Sequence, residues 1–219
     1  MASFLVTQVC SIDEASKRNV SFFKRENVLI FKYMAYKNKF KIAVSGAAEI
    51  NICSKEAVGL AKEVGKEIVR QGCILITGAT TGIPNYAAIG VKEARGVSIG
   101  FSPAASEVSH IKKYRLPADA FDVIVYTGFG YAGRNLLMTR AADGIIVICG
   151  RMGTLNEFTI AFEDEKPIGV MLGSGGTADK IKDIVKRPFR GKMNIIYSGN
   201  PKDLVKKLIQ LIKKEKGRS

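Results

Sequence analysis

The sequence predicts an α/β fold of the Rossmann-like, doubly wound kind, with a mostly parallel sheet and helices on both faces. Three observations lead to this prediction. From Phe40 onward, short runs rich in β-branched residues alternate with helix-length amphipathic segments, an alternation typical of a parallel sheet covered by helices. The 219 residues are 47% hydrophobic, which is enough for one sizeable core. Glycine-containing turns follow four of the expected strands.

Seven strands and six helices are expected in this alternation. The short apolar runs predict strands at 41–45, 73–77, 97–101, 123–126, 145–148, 168–172 and 194–197. The amphipathic segments between them predict helices at 55–70, 86–94, 134–142, 155–162, 178–185 and 203–214. In the last of these, Leu204, Val205, Leu208 and Ile212 recur at helical spacing. That helix is therefore expected to dock through an apolar stripe, with its lysines facing water.

The chain divides into an extension and one domain. Residues 1–39 are expected to form an N-terminal extension, because their apolar runs at 4–10 and 28–33 could pair as strands but stand outside the alternation. Residues 40–219 are expected to form one Rossmann-like domain. Within it, the longer polar connection at 102–117 is expected to be mobile or to form a flap. His110, the sole histidine, lies in this connection and is expected at the surface without a catalytic role.

Charge and composition narrow the classes of partner. The formal net charge is +14, from 34 Lys and Arg against 20 Asp and Glu, so phosphorylated small molecules and polyanions should be attracted over long range at low salt. No apolar run reaches the roughly 18 residues that span a bilayer, and the N-terminus lacks the features of a signal peptide. We therefore expect a cytoplasmic protein without membrane contact. The four cysteines are scattered, which favours buried reduced thiols over disulfides or metal ligands.

The most informative segment is the nonapeptide C-G-R-M-G-T-L-N-E at 149–157, which follows an apolar run and opens into a helix-like pattern. Such a strand, glycine turn and helix start expose unpaired backbone N–H groups and a partial positive charge, which suit a phosphate. The predicted phosphate-binding residues here are Gly150, Arg151, Gly153 and Thr154. A structural alternative is a capping box, in which Thr154 and Glu157 satisfy the helix start reciprocally.

Other strand exits carry small or polar residues that belong to the same expected site. Ser45 and Gly46 follow the first strand, and Gly78 and Gly82 follow the second. Because the carboxyl ends of parallel strands meet at one edge of the sheet, these turns should converge on a crevice. We therefore add these four residues to the predicted nucleotide-binding set.

Together these features resemble the Lonely Guy family of cytokinin-activating phosphoribohydrolases, formerly labelled lysine-decarboxylase-like, and the wider Rossmann-like nucleotide-binding superfamily around it. The family motif P-G-G-x-G-T-x-x-E is matched at Gly150, Gly153, Thr154 and Glu157. The family also has an arginine at the start of the preceding helix, followed by a methionine and by an Ala-Asp pair before the next strand. These are matched at Arg134, Met138 and 142–143. Two positions depart from the motif, because Cys149 replaces the proline and Arg151 replaces the second glycine.

The resemblance implies hydrolysis of the N-glycosidic bond of a nucleoside 5′-monophosphate to free base and ribose 5-phosphate. The transition state of such a reaction resembles an oxocarbenium ion, which a nearby carboxylate can stabilise. Glu157 is the candidate carboxylate, and Arg134 would anchor the substrate or orient Glu157. Their side-chain ends should then lie within about 8 Å, with a sugar between them. The resemblance also implies a homodimer, and its chemistry requires neither a metal nor another cofactor.

Two rival functions belong to other classes of protein. The departures at Cys149 and Arg151 favour a non-catalytic carrier of a nucleotide or of a molybdopterin-like cofactor, with the same phosphate loop but no turnover. Nucleic-acid binding is a third reading, because DNA-processing relatives share this fold and the charge is strongly positive. We do not favour that reading, since no basic motif interleaved with aromatic residues is present.

Overall fold

The computed structural model describes residues 39–186 and 194–217, so the expected extension lies outside the described residues apart from Lys39. The described strands are β1 (Lys41–Gly46), β2 (Ile74–Thr77), β3 (Ser98–Ser102), β4 (Val123–Tyr126), β5 (Gly144–Ile148), β6 (Ile168–Met171) and β7 (Ile195–Ser198). They form one sheet in the order β4-β3-β2-β1-β5-β6-β7. Every neighbouring pair is parallel. This sheet confirms the predicted fold class.

Helices cover both faces of the sheet. They are α1 (Ala57–Arg70), α2 (Ile83–Glu93), α3 (Gly130–Ala141), α4 (Met152–Glu163), α5 (Gly176–Ile184) and α6 (Pro201–Lys216). The apolar side chains of α1, α2 and α6 pack into one core cluster, and those of α3, α4 and α5 into a second. Leu204, Val205, Leu208 and Ile212 are all buried, as their spacing predicted.

The two central strands determine where the crevice opens. All five residues of β5 are buried, which explains its continuous apolar sequence. The direction in which successive strands are added to the sheet reverses between β1 and β5. Strands β2, β3 and β4 lie on one side of β1, whereas β5, β6 and β7 lie on the other. Gly46 pairs with Ile148, so both strands end at the same level. In open α/β sheets, ligands bind at such a reversal point, outside the carboxyl ends of the strands.

Five of the six helices begin earlier than the sequence predicted, three of them by three or four residues. Helix α2 begins at Ile83, α3 at Gly130 and α4 at Met152, each three or four residues before the predicted start. Their first turns contain glycine or proline, which the sequence reading assigned to loops. Proline is compatible with a first helical turn, because its missing N–H would have no partner there.

His110 corrects the prediction for the polar connection after β3. Its side chain is fully buried in a π-helical turn, Ser109–Lys113. Its Nδ1 lies 2.8 Å from the Ser102 hydroxyl and its Nε2 lies 3.0 Å from the Pro117 carbonyl oxygen. The surface prediction was wrong because both ring nitrogens find partners, and a satisfied imidazole can be buried. His110 thereby anchors the middle of the connection to β3.

None of the helices within residues 39–186 and 194–217 combines the length and the apolar character needed to cross a bilayer.

Helices α1 and α2 contact each other through their backbones. A β-carbon added at Gly65 would overlap the Ala87 carbonyl oxygen, and one added at Gly90 would overlap the Lys62 carbonyl oxygen. Both positions therefore require glycine for close approach. Gly59, on the same helix as Gly65, is exposed and faces open space.

We expect Gly65→Ala to lower the free energy of unfolding by about 1–3 kcal/mol, because the added methyl group overpacks the helix contact. Gly59→Ala is the matched control, and its better helix propensity should raise the free energy of unfolding by about 0.5–1 kcal/mol. Urea denaturation measures both changes. Equal stability of the two variants would contradict the backbone contact between α1 and α2.

Candidate functional site

A cavity of about 230 Å³ opens at the carboxyl ends of β1, β2 and β5. Seven of the predicted site residues line it: Gly46, Gly78, Arg134, Arg151, Gly153, Thr154 and Glu157. The other three support the wall from behind. Ser45 contacts Glu157, Gly82 packs against the Ala47 and Ala48 carbonyls, and Gly150 packs against the Thr154 side chain. The predicted crevice is thus present, while the roles of its residues stay predictions.

The centre of the site is a buried cluster of three polar side chains. Arg134 Nη1 donates to Glu157 Oε1 at 3.2 Å, and the Ser45 hydroxyl donates to Glu157 Oε2. Arg134 and Glu157 are only 5% and 6% exposed. Their side-chain ends converge within the predicted distance of about 8 Å and are in direct contact. The placement of a sugar between them stays a prediction.

Glu157 does not cap its own helix. Helix α4 begins at Met152, and its N-cap residue, Arg151, makes no side-chain capping hydrogen bond. Thr154 consequently lies inside the first turn rather than at the N-cap position that a capping box requires. The capping-box alternative was wrong, and Glu157 is directed to Arg134 and Ser45 instead.

Burial sets the electrostatics of this cluster. Loss of hydration raises the pKa of Glu157, and the positive charge of Arg134 and the hydroxyl of Ser45 oppose that rise. Burial also lowers the pKa of Arg134, with the carboxylate of Glu157 acting in the opposite direction. A guanidinium keeps its proton in proteins. Arg134 is therefore a buried positive charge, and its main partner is the carboxylate of Glu157.

Two neighbours hold the pair in place. A β-carbon at Gly78 would overlap Arg134 Nη1, so only glycine leaves room for the guanidinium. Asn135 fits with its amide nitrogen facing Glu157 Oε1 at 2.9 Å. Sequence reasoning missed Asn135 and also Tyr131, which lines the cavity. The available signal was position, because Asn135 directly follows Arg134 at the start of a helix.

The N-terminus of α4 opens onto the cavity. Its first backbone N–H groups have no partner within the helix, and Gly153 and Thr154 line the cavity wall. The carbonyls of Cys149 and Gly150 accept the N–H groups of Ala178 and Thr177, each at 2.9 Å. The loop before α4 is therefore tied to the start of α5 through its carbonyl groups.

Arg151 crosses the mouth of the cavity. Its Nη1 lies 2.8 Å from Glu49 Oε2, and its Nη2 donates to Asn51 Oδ1 at 3.0 Å. Both partners belong to the loop after β1. The bulky cation that replaces the family's glycine thus joins two loops across the crevice, and its predicted contact with a phosphate stays a prediction.

The cysteines correct another expectation. Cys53 and Cys149 form a disulfide across 96 residues of sequence, whereas Cys73 is buried and Cys10 lies outside the described residues. The prediction of reduced thiols was wrong for the pair. Their separation in sequence concealed their proximity, which follows from the adjacency of β1 and β5 in the sheet. In the described part of the chain, no group of three or more His, Cys, Asp or Glu side chains is arranged to hold a metal ion.

With this fold and site, the chain belongs to the SLOG cluster4 family, whose sequence profile matches residues 39–205. The match confirms the wider Rossmann-like superfamily that the motifs indicated. A relative from Archaeoglobus fulgidus, described as an uncharacterized protein, is 30% identical over 128 residues. That alignment covers 58% of this chain and 77% of the relative.

Two solved structures are similar over most of the chain. The Moco carrier protein from Chlamydomonas reinhardtii has a TM-score of 0.66 and 25% identity, covering 81% of this chain and 99% of that one. The molybdenum cofactor binding protein from the phototrophic bacterium Rippkaea orientalis has a TM-score of 0.63 and 25% identity, covering 81% and 98%.

We expect Glu157→Ala to lower the free energy of unfolding by about 3–5 kcal/mol, because it leaves the Arg134 charge buried without its main partner. Arg140→Ala is the control, since it removes an ion pair with Asp164 in which the arginine is largely exposed, and it should cause no measurable change. Urea denaturation compares the two. A Glu157→Ala variant as stable as the Arg140→Ala variant would show that water reaches the central pair.

Proposed function

We propose that the protein binds the phosphate-bearing end of a nucleotide or of a molybdopterin-type cofactor in the crevice and holds it without turnover. The observation that carries this proposal is the state of Glu157. Each of its carboxylate oxygens accepts a hydrogen bond from a protein side chain, Oε1 from Arg134 and Oε2 from Ser45. A carboxylate held in this way orders the site instead of facing a reacting carbon.

The phosphate would lie at the N-terminus of α4. The partial positive charge and unpaired N–H groups at a helix start bind phosphate. Gly153 presents no side chain to the cavity, which lets a ligand approach the backbone closely. Thr154 lines the same wall and can add a hydroxyl. The net charge of +14 would speed the approach of an anionic ligand at low salt.

The similar solved structures support a carrier function. Both are described as proteins that carry or bind the molybdenum cofactor. A molybdopterin-type cofactor that carries a phosphate would bind at a helix N-terminus in the same way as a nucleotide. In this chain, the residues that would hold that phosphate are Gly153 and Thr154, with Arg151 and Arg134 supplying positive charge from the cavity wall.

Hydrolysis of a nucleoside 5′-monophosphate is the second candidate function, and one observation favours it. Burial raises the pKa of Glu157, and raised carboxyl pKa values are common among catalytic acids and bases. Under this alternative the ligand would rearrange the cluster so that Glu157 leaves Ser45 and faces the anomeric carbon. Arg134 would then be a positioning residue that keeps Glu157 in the crevice.

The chain also forms a homodimer under this proposal, with α3 in the contact. Leu136 and Leu137 on α3 are 37% and 40% exposed, while Arg134, Asn135 and Met138 on the same helix are buried. Exposed leucines beside a functional cleft are typical of a surface that a protein partner covers. A second copy of the chain would cover them.

The binding proposal predicts that Gly153→Asp lowers the affinity for AMP and for pyrophosphate by at least about tenfold. The new carboxylate would point into the cavity and repel the phosphate, yet an acidic residue in a first helical turn should not destabilise the fold. Gly59→Asp is the matched control, because Gly59 also lies in the first turn of a helix and faces open space. Isothermal titration calorimetry measures both affinities. Similar binding by the two variants would place the phosphate elsewhere.

For the homodimer, we expect Leu137→Glu to convert the protein to a monomer at micromolar concentration, because a charge cannot be buried unpaired in an apolar contact. Ile184→Glu makes the same kind of change at a 37% exposed position on α5 and should leave the dimer intact. Light scattering coupled to size-exclusion chromatography gives the masses. A monomeric wild-type chain, or a dimeric Leu137→Glu variant, would contradict this assembly.

A further inference from the structure

The Cys53–Cys149 disulfide joins two loops at the carboxyl end of the sheet. Cys53 follows a short 3-10 turn, Ile50–Ile52, in the loop after β1. Cys149 directly follows β5 and precedes Gly150, the first glycine of the phosphate loop, which we define as residues 149–153. The same two loops are joined a second time by Arg151 and Glu49. The disulfide therefore lies where a change would reach the candidate site directly.

Cys149 holds an unusual backbone conformation. Its φ is +55° and that of Gly150 is +106°, so two successive residues lie in the left-handed region that residues with side chains rarely adopt. Such a conformation persists only when its surroundings fix it. Three constraints do so here: the Cys149 N–H donates to the Ser174 hydroxyl at 2.8 Å, its carbonyl accepts from Ala178, and its sulfur is bonded to Cys53.

The other end of the disulfide depends on the same neighbouring loop. Cys53 forms a backbone bridge with Gly175, and the Ser54 N–H donates to the Ser174 carbonyl at 3.0 Å. Ser174 thus contacts both cysteine segments, through its hydroxyl on one side and its carbonyl on the other. The disulfide completes this arrangement covalently, and its loss would leave only hydrogen bonds and the Arg151–Glu49 ion pair to hold the phosphate loop.

We propose that Cys53–Cys149 is a thiol–disulfide exchange site that sets the conformation of the phosphate loop. The oxidised form fixes the loop with its left-handed residues, and the reduced form releases it. Cys53 is partly exposed whereas Cys149 is fully buried, so the sulfur of Cys53 is the point of attack. The reaction partner is a dithiol, either a small molecule or the active-site pair of a reducing protein.

The exchange balances in two steps. A thiolate of the dithiol attacks Cys53 Sγ and forms a mixed disulfide; the Cys53–Cys149 bond breaks, and its electron pair leaves on Cys149 Sγ, which takes up a proton. The second thiol of the dithiol then loses its proton and attacks the first sulfur of the dithiol in the mixed disulfide. This step releases Cys53 as a thiolate, which takes up a proton. Two electrons and two protons have passed to the cysteine pair, and the dithiol has become a disulfide.

Two consequences follow, and they are separable. Backbone N–H groups in the phosphate loop should open more often after reduction, which does not depend on any ligand. Ligand affinity should fall as well, because a loop that is ordered in advance binds at a lower entropic cost. The second consequence rests on the proposed function, whereas the first does not.

The test compares the oxidised protein with protein reduced by dithiothreitol, with the thiol state checked by alkylation and mass spectrometry. Hydrogen exchange measured by mass spectrometry should accelerate in peptides covering 149–153, and calorimetry should show AMP affinity falling by about tenfold. Cys53→Ser, with Cys53→Ala as a second variant, should resemble the reduced wild-type protein with and without dithiothreitol. Neither variant should respond to the reductant. Cys73→Ala is the control, because it changes a cysteine outside this disulfide and should respond like the wild type.

Unchanged exchange at 149–153 after complete reduction would overturn the proposal, whatever the ligand results are. A lower melting temperature of Cys53→Ser with unchanged exchange at 149–153 would also overturn it, since the disulfide would then serve stability alone. Faster exchange without binding of AMP or pyrophosphate in either redox state would support the exchange site and contradict the proposed phosphate-binding function. Faster exchange together with weaker AMP binding supports both.

Discussion

The crevice depends on one buried ion pair. Arg134 comes from α3, Glu157 from α4, and Ser45, which donates to Glu157, from the end of β1. Taking two charges out of water costs several kcal/mol for each ion, and only close pairing with further hydrogen bonds offsets that cost. The position of α3 relative to α4 and β1 is therefore constrained by the need to keep this pair together. Gly78 completes the constraint, because any side chain there would displace the guanidinium.

The same constraint favours binding over turnover. A catalytic carboxylate must be within reach of the reacting atom in the complex, whereas Glu157 is directed toward protein groups from both oxygens. The loop that would hold the phosphate is independently fixed by the disulfide of Cys149 behind it, and the largely exposed Arg151–Glu49 ion pair lies across the mouth. Both departures from the phosphoribohydrolase motif therefore act as ties between loops. A rigid site of this kind suits a protein that retains its ligand.

Much of the fold could be predicted from the sequence because its strands are apolar, short and clearly separated. Each strand boundary was predicted to within one residue, and the crevice was predicted at the correct end of the sheet. Helix starts were less accessible, since the glycines and Pro84 in first turns have the same local signature as loops. His110 is buried by partners only seven and eight residues away in sequence, whereas the Cys53–Cys149 pair joins segments 96 residues apart. Periodicity and spacing encode neither contact. The sequence signal for Asn135 was only its position directly after Arg134, because its importance comes from facing Glu157.

The central claim, retention without turnover, is tested most directly by the fate of the bound nucleotide. The protein would be incubated with a panel of nucleoside 5′-monophosphates, and bound ligand, free base and ribose 5-phosphate would be quantified by chromatography over many hours. The account predicts saturable binding with the nucleotide recovered intact and no ribose 5-phosphate above the level without protein. Release of base and ribose 5-phosphate over many turnovers, abolished in Glu157→Gln while binding persists, would contradict it and establish the hydrolase instead.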